Sequence, residues 1–99
     1  MDLFGIKKRG RKKIHRNVDF VPVANNYTPD KTSTEGEGFI YLLQDEIEAL
    51  RLKNLNNLSI REGAVKMGIS KSLFAKIYNS GVYKLTEALI YGKEIVISK

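Results

Sequence analysis

The sequence predicts a mainly α domain in which three helices form a helix-turn-helix unit, with a short β element and a flexible basic arm at the N-terminus. From residue 43 to residue 91, apolar residues recur at spacings of three and four, as they do along one side of a helix. Serine and glycine interrupt that stretch where helices begin and end. A chain of 99 residues holds one modest core. We therefore expect an arm over residues 1–16 and one domain over residues 17–99.

Dense positive charge sets the first sixteen residues apart from the rest. They hold seven Lys and Arg against one acid, with few apolar residues, so they cannot build a core of their own. Within them, Arg9-Gly10-Arg11 resembles a minor-groove hook, since glycine lets the backbone lie deep while arginines follow the groove. A solvated tail is the alternative. The residues expected to contact phosphates are Arg9, Arg11, Lys12 and Lys13.

The β element is predicted at two places that lie far apart in the sequence. Residues 94–97 contain three β-branched residues in a row and are expected to pair with residues 39–43, which form a short strand or the approach to a helix. Residues 19–23 contain a proline and form an edge strand at best. Residues 25–38 are rich in turn-forming residues and predict a loop.

Capping residues predict where the helices begin and end. Ser59 and Glu62 have the spacing of a capping box, in which each side chain accepts from the other residue's backbone N–H. Gly68 supplies a left-handed stop, Ser70 caps the next helix, and Gly92 ends it. The first helix carries acids in its first turn and bases in its last, matching its dipole. We expect helices over residues 43–54, 59–67 and 70–91.

The turn Met67-Gly68-Ile69-Ser70 joins two helices of unequal length, as in a helix-turn-helix. Ala64 is small where the two helices should approach most closely. Gly63 is the one unfavourable residue, since glycine inside a helix costs about 1 kcal/mol relative to alanine. The predicted inward stripe of the third helix is Phe74, Ile77, Gly81, Leu85 and Ala88.

The outward side of the third helix carries the functional prediction. Three lysines and no acid lie between residues 70 and 84, which a purely structural helix bundle would not require. Small, amide and cationic side chains there suit a DNA major groove. The residues expected to face bases are Ser70, Ser72, Ala75 and Asn79. The residues expected to contact phosphates are Lys71, Lys76 and Lys84.

Three blocks of the sequence closely resemble a small prokaryotic family, the domain of unknown function one-three-four. These are Asp-Glu-Ile-Glu-Ala-Leu-Arg-Leu at residues 45–52, Met-Gly-Ile-Ser at residues 67–70, and Glu-Ala-Leu-Ile-Tyr-Gly-Lys at residues 87–93. The resemblance extends over residues 9–97. It implies a DNA-binding protein whose helix-turn-helix is similar to region four of sigma factors. The chain departs from the family at Gly63, which is usually alanine there, and at residues 81–82.

Composition argues against several classes of protein. The chain has no cysteine and a single histidine, His15, so we expect no metal site and no cofactor. The acids of residues 45–48 suit a helix N-terminus better than acid–base catalysis, and we do not expect an enzyme. The longest apolar run, residues 39–43, is far below the ~18 residues that span a bilayer. We therefore expect a cytoplasmic protein without a membrane segment.

The function predicted from the sequence is sequence-specific binding of double-stranded DNA, in a transcriptional regulator. Two alternatives stay open. One is a protein-interaction module of the sigma region-four type, which docks on transcription machinery through the acidic residues 30–48. The other is an RNA-binding protein that relies on its arm. A symmetric homodimer that reads two half-sites also stays open, with the edge of residues 94–97 or the last turns of the third helix as its contact surface.

Overall fold

A computed structural model describes residues 16–31 and 38–98 of the chain. The fold is mainly α with a small three-stranded sheet, and most of the predicted arm lies outside the described residues, including Arg9, Arg11, Lys12 and Lys13. The strands are β1 (Asn26–Tyr27), β2 (Phe39–Leu42) and β3 (Glu94–Ile97). The helices are α1 (Gln44–Leu50), which continues as a π-helical segment (Arg51–Leu55), α2 (Ile60–Met67) and α3 (Lys71–Tyr91).

The sheet joins the two ends of the described chain. Its strand order is β1-β3-β2, with β3 antiparallel to β1 and parallel to β2. Ile40 pairs with Ile95 and Leu42 pairs with Ile97, which confirms the predicted pairing of these two segments. Ile40 and Leu42 are buried against α3 together with Ala88. The sheet therefore holds the C-terminal half of α3 in place.

The predicted loop over residues 25–38 is wrong at one place, because the short strand β1 lies within it. Residues 19–23, expected to form an edge strand at best, form no strand. The Asn25 carbonyl accepts from the Ile97 N–H at 2.8 Å, and the Asn26 side chain donates to Glu94 at 2.9 Å. These long-range hydrogen bonds outweigh the local turn tendency of the asparagines. As a result β3 is the central strand, so it has no free edge for a dimer.

The core consists of two apolar clusters that meet along α3. One cluster fills the space between α1, the π-helical segment, α2 and the first half of α3, with Leu52, Met67 and Phe74 almost completely buried. The other lies between the sheet and the second half of α3. The predicted inward stripe is confirmed, because Phe74, Ile77, Gly81 and Ala88 are buried and Leu85 packs against the second cluster. Both halves of α3 therefore have a fixed outward side.

The first helix, expected over residues 43–54, extends to Leu55 and changes its winding in its last part. From Arg51 the winding widens, and the Asn56 N–H bonds to the Arg51 carbonyl at 3.1 Å, which is an i to i+5 bond. Leu52 is buried in this segment, and Asn54 accepts from the Tyr78 hydroxyl at 2.9 Å. These contacts with the rest of the fold decide the winding, because local propensity is weak beside packing.

Gly63 lies where the backbone of α2 approaches the ring of Phe74. A Cβ on residue 63 would lie 2.5 Å from Cζ and 2.7 Å from Cε1 of that ring. Both residues are buried. Gly63 is unfavourable for an isolated helix, but here it leaves room for Phe74, the largest fully buried side chain of the core.

Candidate nucleic-acid interface

The turn between α2 and α3 holds the two helices in a defined relation. Gly68 has φ +69°, and its N–H donates to the last carbonyls of α2. The Ile69 N–H donates to the Ala64 carbonyl at 3.0 Å, and the Ser70 hydroxyl accepts from the Leu73 N–H at 3.1 Å. Since these bonds satisfy the backbone at both helix ends, α3 begins in a fixed direction.

Six of the predicted contact residues lie on the solvent-facing side of the start of α3. Five are exposed and Ala75 is half-buried, whereas Phe74 and Ile77 in the same turns are buried. The hydroxyl of Ser70 already accepts the capping bond, so it can contact a ligand by donating a hydrogen bond. The residues on this side, called the α3 ridge below, are Ser70, Lys71, Ser72, Ala75, Lys76 and Asn79.

Lys84 does not join the α3 ridge. Its Nζ lies 3.0 Å from Glu46 Oε1 and 2.7 Å from the Tyr41 carbonyl, so it points toward α1 and β2. Glu46 is buried and also accepts from the Ser80 hydroxyl at 2.6 Å. A phosphate would have to compete with this buried carboxylate for the ammonium group. The spacing already indicates this direction, because Lys84 follows the inward Gly81 by three residues.

Positive charge extends beyond α3. Residues 60–80 hold four Lys and Arg against a single acid, Glu62, which accepts from the Ser59 N–H at 2.9 Å in the predicted capping box. Arg61 and Lys66 are exposed on α2. Neither was singled out from the sequence, although the charge count of the C-terminal half already pointed to them. The surface of α2 and α3 is therefore cationic well beyond the α3 ridge.

The start of the described chain is anchored beside the turn that precedes α3. The Asn17 N–H donates to the Met67 carbonyl at 3.0 Å, and the Asn17 amide lies 3.4 Å from the Lys66 carbonyl. Arg16 pairs with Asp45 at 3.3 Å. Asn17, the residue directly after the predicted arm, therefore lies beside the turn that precedes α3.

The acids of α1 take part in the fold. Glu48 is buried, accepts from the Asp19 N–H at 3.1 Å, and receives two bonds from the Arg51 guanidinium at 3.0 and 2.8 Å. The hydrogen bond to Glu48 raises the pKa of Arg51, so the guanidinium keeps its charge. In residues 16–31 and 38–98, no three His, Cys, Asp or Glu come together as a metal site. No helix of the same residues is long and apolar enough to cross a membrane.

Comparison with known proteins assigns the chain to a family. Residues 6–99 match the family model described as "Protein of unknown function DUF134". The chain belongs to this family. The relatives of the chain include UPF0251 proteins of Methanosarcina mazei, 38% identical over 88% of this chain and 53% of the relative, and of Chlorobium chlorochromatii, 33% identical over 92% and 51%. A third, from Aeromonas salmonicida, is 32% identical over 88% of this chain and 85% of its own length.

The chain spans about half the length of the first two of these relatives. No solved structure matches it. The blocks that carry the resemblance to the DUF134 family lie at defined points of the fold. Residues 45–52 form α1 and the start of the π-helical segment, residues 67–70 form the turn before α3, and residues 87–93 contain the end of α3.

Proposed function

We propose that the chain binds double-stranded DNA in a sequence-specific manner, as a transcriptional regulator. In this proposal α2 and α3 act as a helix-turn-helix, and the first turns of α3 enter the major groove. The observation that carries it is the α3 ridge, an exposed side of a well-anchored helix with small, amide and cationic residues. No acid lies on α3 before Glu87.

Charge supports a polyanion as the ligand. Lys71 and Lys76 are exposed on α3, and Arg61 and Lys66 add exposed charge on α2. Each cation that neutralises a phosphate releases counterions, so binding should weaken steeply as salt is raised. The first turns of the second helix contact base edges in complexes of this type, while the preceding helix crosses the backbone. Arg61 and Lys66 are therefore proposed as further phosphate contacts.

Base reading is assigned to uncharged residues of the α3 ridge. Asn79 is exposed and carries an amide that can pair with both N6 and N7 of adenine. Ser72 can donate or accept on any base edge. Ala75 presents a methyl group that suits close approach and contact with a thymine methyl. Phosphate contacts set the position of the helix, and these three side chains provide the discrimination.

The predicted arm fits the same site. Asn17 lies beside the turn that precedes α3, and all seven basic residues of the first sixteen precede it. An arm joined there would reach the duplex next to the groove that α3 enters. We propose that Arg9 and Arg11 bind the adjacent minor groove or its phosphates.

Selection from a random duplex library, followed by binding titrations with purified variants, tests the proposal. Lys76→Ala should weaken binding to all sequences alike and lower the salt slope by about one. Asn79→Ala should lose about 1–3 kcal/mol on the selected site and little on random duplex. Lys31→Ala is the matched control for Lys76→Ala, because Lys31 is exposed beside the far end of α3, near Gly92.

Each alternative gives a distinct result. Equal affinity for selected and random duplex would contradict sequence-specific reading. Tighter binding of structured RNA or single strands than of duplex would favour the RNA-binding alternative. Absence of any duplex binding at low salt would leave the protein-interaction alternative and would overturn the proposal.

A further inference from the structure

The outward side of the second half of α3 is apolar and exposed. Val82, Tyr83, Leu89 and Ile90 are 36%, 69%, 79% and 68% exposed. With Thr86 between them, they cover about 120° of the helix circumference at 3.6 residues per turn. We call these five residues the α3 patch. A solvated helix usually carries charged residues on such a side.

The charged residues of this part of α3 turn away from the α3 patch. Lys84 bonds to Glu46 at 3.0 Å, and Glu87 accepts from Lys93 at 2.8 Å. The Thr86 hydroxyl donates to the Val82 carbonyl at 2.7 Å, which satisfies its hydrogen. Apart from the hydroxyl of Tyr83, the α3 patch therefore has little need of water.

We infer that the α3 patch binds a second copy of this chain, with the two α3 helices antiparallel about a two-fold axis at Thr86. This arrangement sets Val82 against Ile90 and Tyr83 against Leu89, so the patch is complementary to itself. The smallest of the five side chains then lies where the helix axes are closest.

Charge argues for a second copy as the occupant. The whole chain has a formal charge of +6, so two copies repel each other overall. The five residues of the α3 patch are uncharged, so they bring no like charges together. An acidic partner would instead be drawn to the cationic side chains of α2 and the α3 ridge.

The size of the patch predicts a modest affinity. A large aromatic side chain has an area of about 150–250 Å², and the aliphatic ones are smaller. Scaled by their exposed fractions, the five side chains offer on the order of 500 Å² per copy. Stable interfaces bury about 800 Å² per partner. The dimer should therefore form reversibly, at micromolar concentrations or above.

Pairing and DNA binding would compete, a consequence that rests on the proposed function. Ser72, Asn79 and Thr86 are spaced by seven residues, so they lie on nearly the same side of α3. Asn79 and Val82 are separated by only about 4.5 Å along the helix axis, whereas a partner helix is about 10 Å wide. A duplex on the α3 ridge and a partner on the α3 patch would therefore collide.

Sedimentation over a concentration series tests the pairing. Leu89→Lys should weaken the dimer at least tenfold, because it sets charge within the patch. Leu55→Lys is the matched control, since Leu55 is 77% exposed in the π-helical segment and the change in charge is the same. It should leave the dimer within twofold of the natural chain. A natural chain that stays monomeric up to millimolar concentration, or equal effects of the two variants, overturns the inference.

Cysteine cross-linking tests the two-fold axis directly, because the chain has no cysteine. Two helices 8–10 Å apart bring the residues at the axis to about 4–5 Å between Cα atoms, within reach of a disulfide. Thr86→Cys should cross-link rapidly under mild oxidation, and Leu55→Cys should not. Equal rates of cross-linking would contradict the arrangement.

Binding of duplex to the dimer tests the competition separately from the pairing. Duplex should dissociate the dimer into one protein per site, and oxidised Thr86→Cys should bind duplex at least tenfold more weakly than the reduced form. Equal affinity of the two forms would overturn the competition. A dimer that forms without any duplex binding would overturn the proposed function and leave the pairing in place.

Discussion

Replacing Gly63 by alanine tests the packing that orients the α3 ridge. Helix propensity alone predicts that this change stabilises the fold by about 1 kcal/mol, since glycine is unfavourable inside a helix. The structure predicts the opposite sign. The new Cβ would lie 2.5 and 2.7 Å from two ring atoms of Phe74, which is completely buried. Either the ring or α2 has to move.

The expected size follows from two opposing terms. Overpacking of a core costs about 1–3 kcal/mol, and the gain in helix propensity offsets about 1 kcal/mol of it. Gly63→Ala should therefore lower the free energy of unfolding by about 1 kcal/mol. In a chain of this size that corresponds to a fall in Tm of about 4–8 °C.

Denaturant unfolding followed by circular dichroism measures the effect. Gly81→Ala is the control, because its Cβ would meet Leu50 Cδ1 at 3.2 Å and Glu46 Cβ at 3.3 Å, where a slight shift suffices. Gly81→Ala should change the free energy of unfolding by less than about 1 kcal/mol, because the gain in helix propensity and the small cost of overpacking nearly cancel. The double variant Gly63→Ala/Phe74→Leu should lose about 1 kcal/mol less unfolding free energy than the sum of the losses in the two single variants. A rise in Tm for Gly63→Ala alone would refute the reasoning.

Three further predictions concern single interactions. Lys84→Met should lower the free energy of unfolding by about 1–2 kcal/mol, because buried Glu46 loses its cation. The salt slope of DNA binding should stay unchanged, and a lower slope would mean that Lys84 contacts a phosphate. Deleting residues 1–15 should weaken duplex binding and lower the salt slope by several units, because six basic residues are lost. An unchanged slope would mean that the arm takes no part in DNA binding. Ser59→Ala should cost about 1 kcal/mol in thermal unfolding, and no change in Tm would show that the capping bond at 3.0 Å contributes nothing.

Much of α2 and α3 could be predicted from the sequence because their ends depend on neighbouring residues. Ser59 and Ser70 accept from backbone N–H groups three residues away, and Gly68 and Gly92 take left-handed φ angles of +69° and +71°. The outward position of the α3 ridge follows in the same way from the spacing of its apolar residues. Such local rules need no knowledge of the rest of the fold.

Other features could not be read from the sequence because they depend on residues far apart in the chain. The place of β3 at the centre of the sheet depends on Asn25 and Asn26, some seventy positions away. The wide winding after Leu50 depends on burial of Leu52 and on the bond from Tyr78.

By itself, the sequence determined the helices, their caps and the cationic character of the side that α3 turns outward. Only the tertiary structure decided that Glu46 is the partner of Lys84 and that Gly63 makes room for Phe74. The physical reason is that capping and periodicity act within one or two turns of a helix. The direction of a long side chain and the closeness of two backbones depend on every element packed around them.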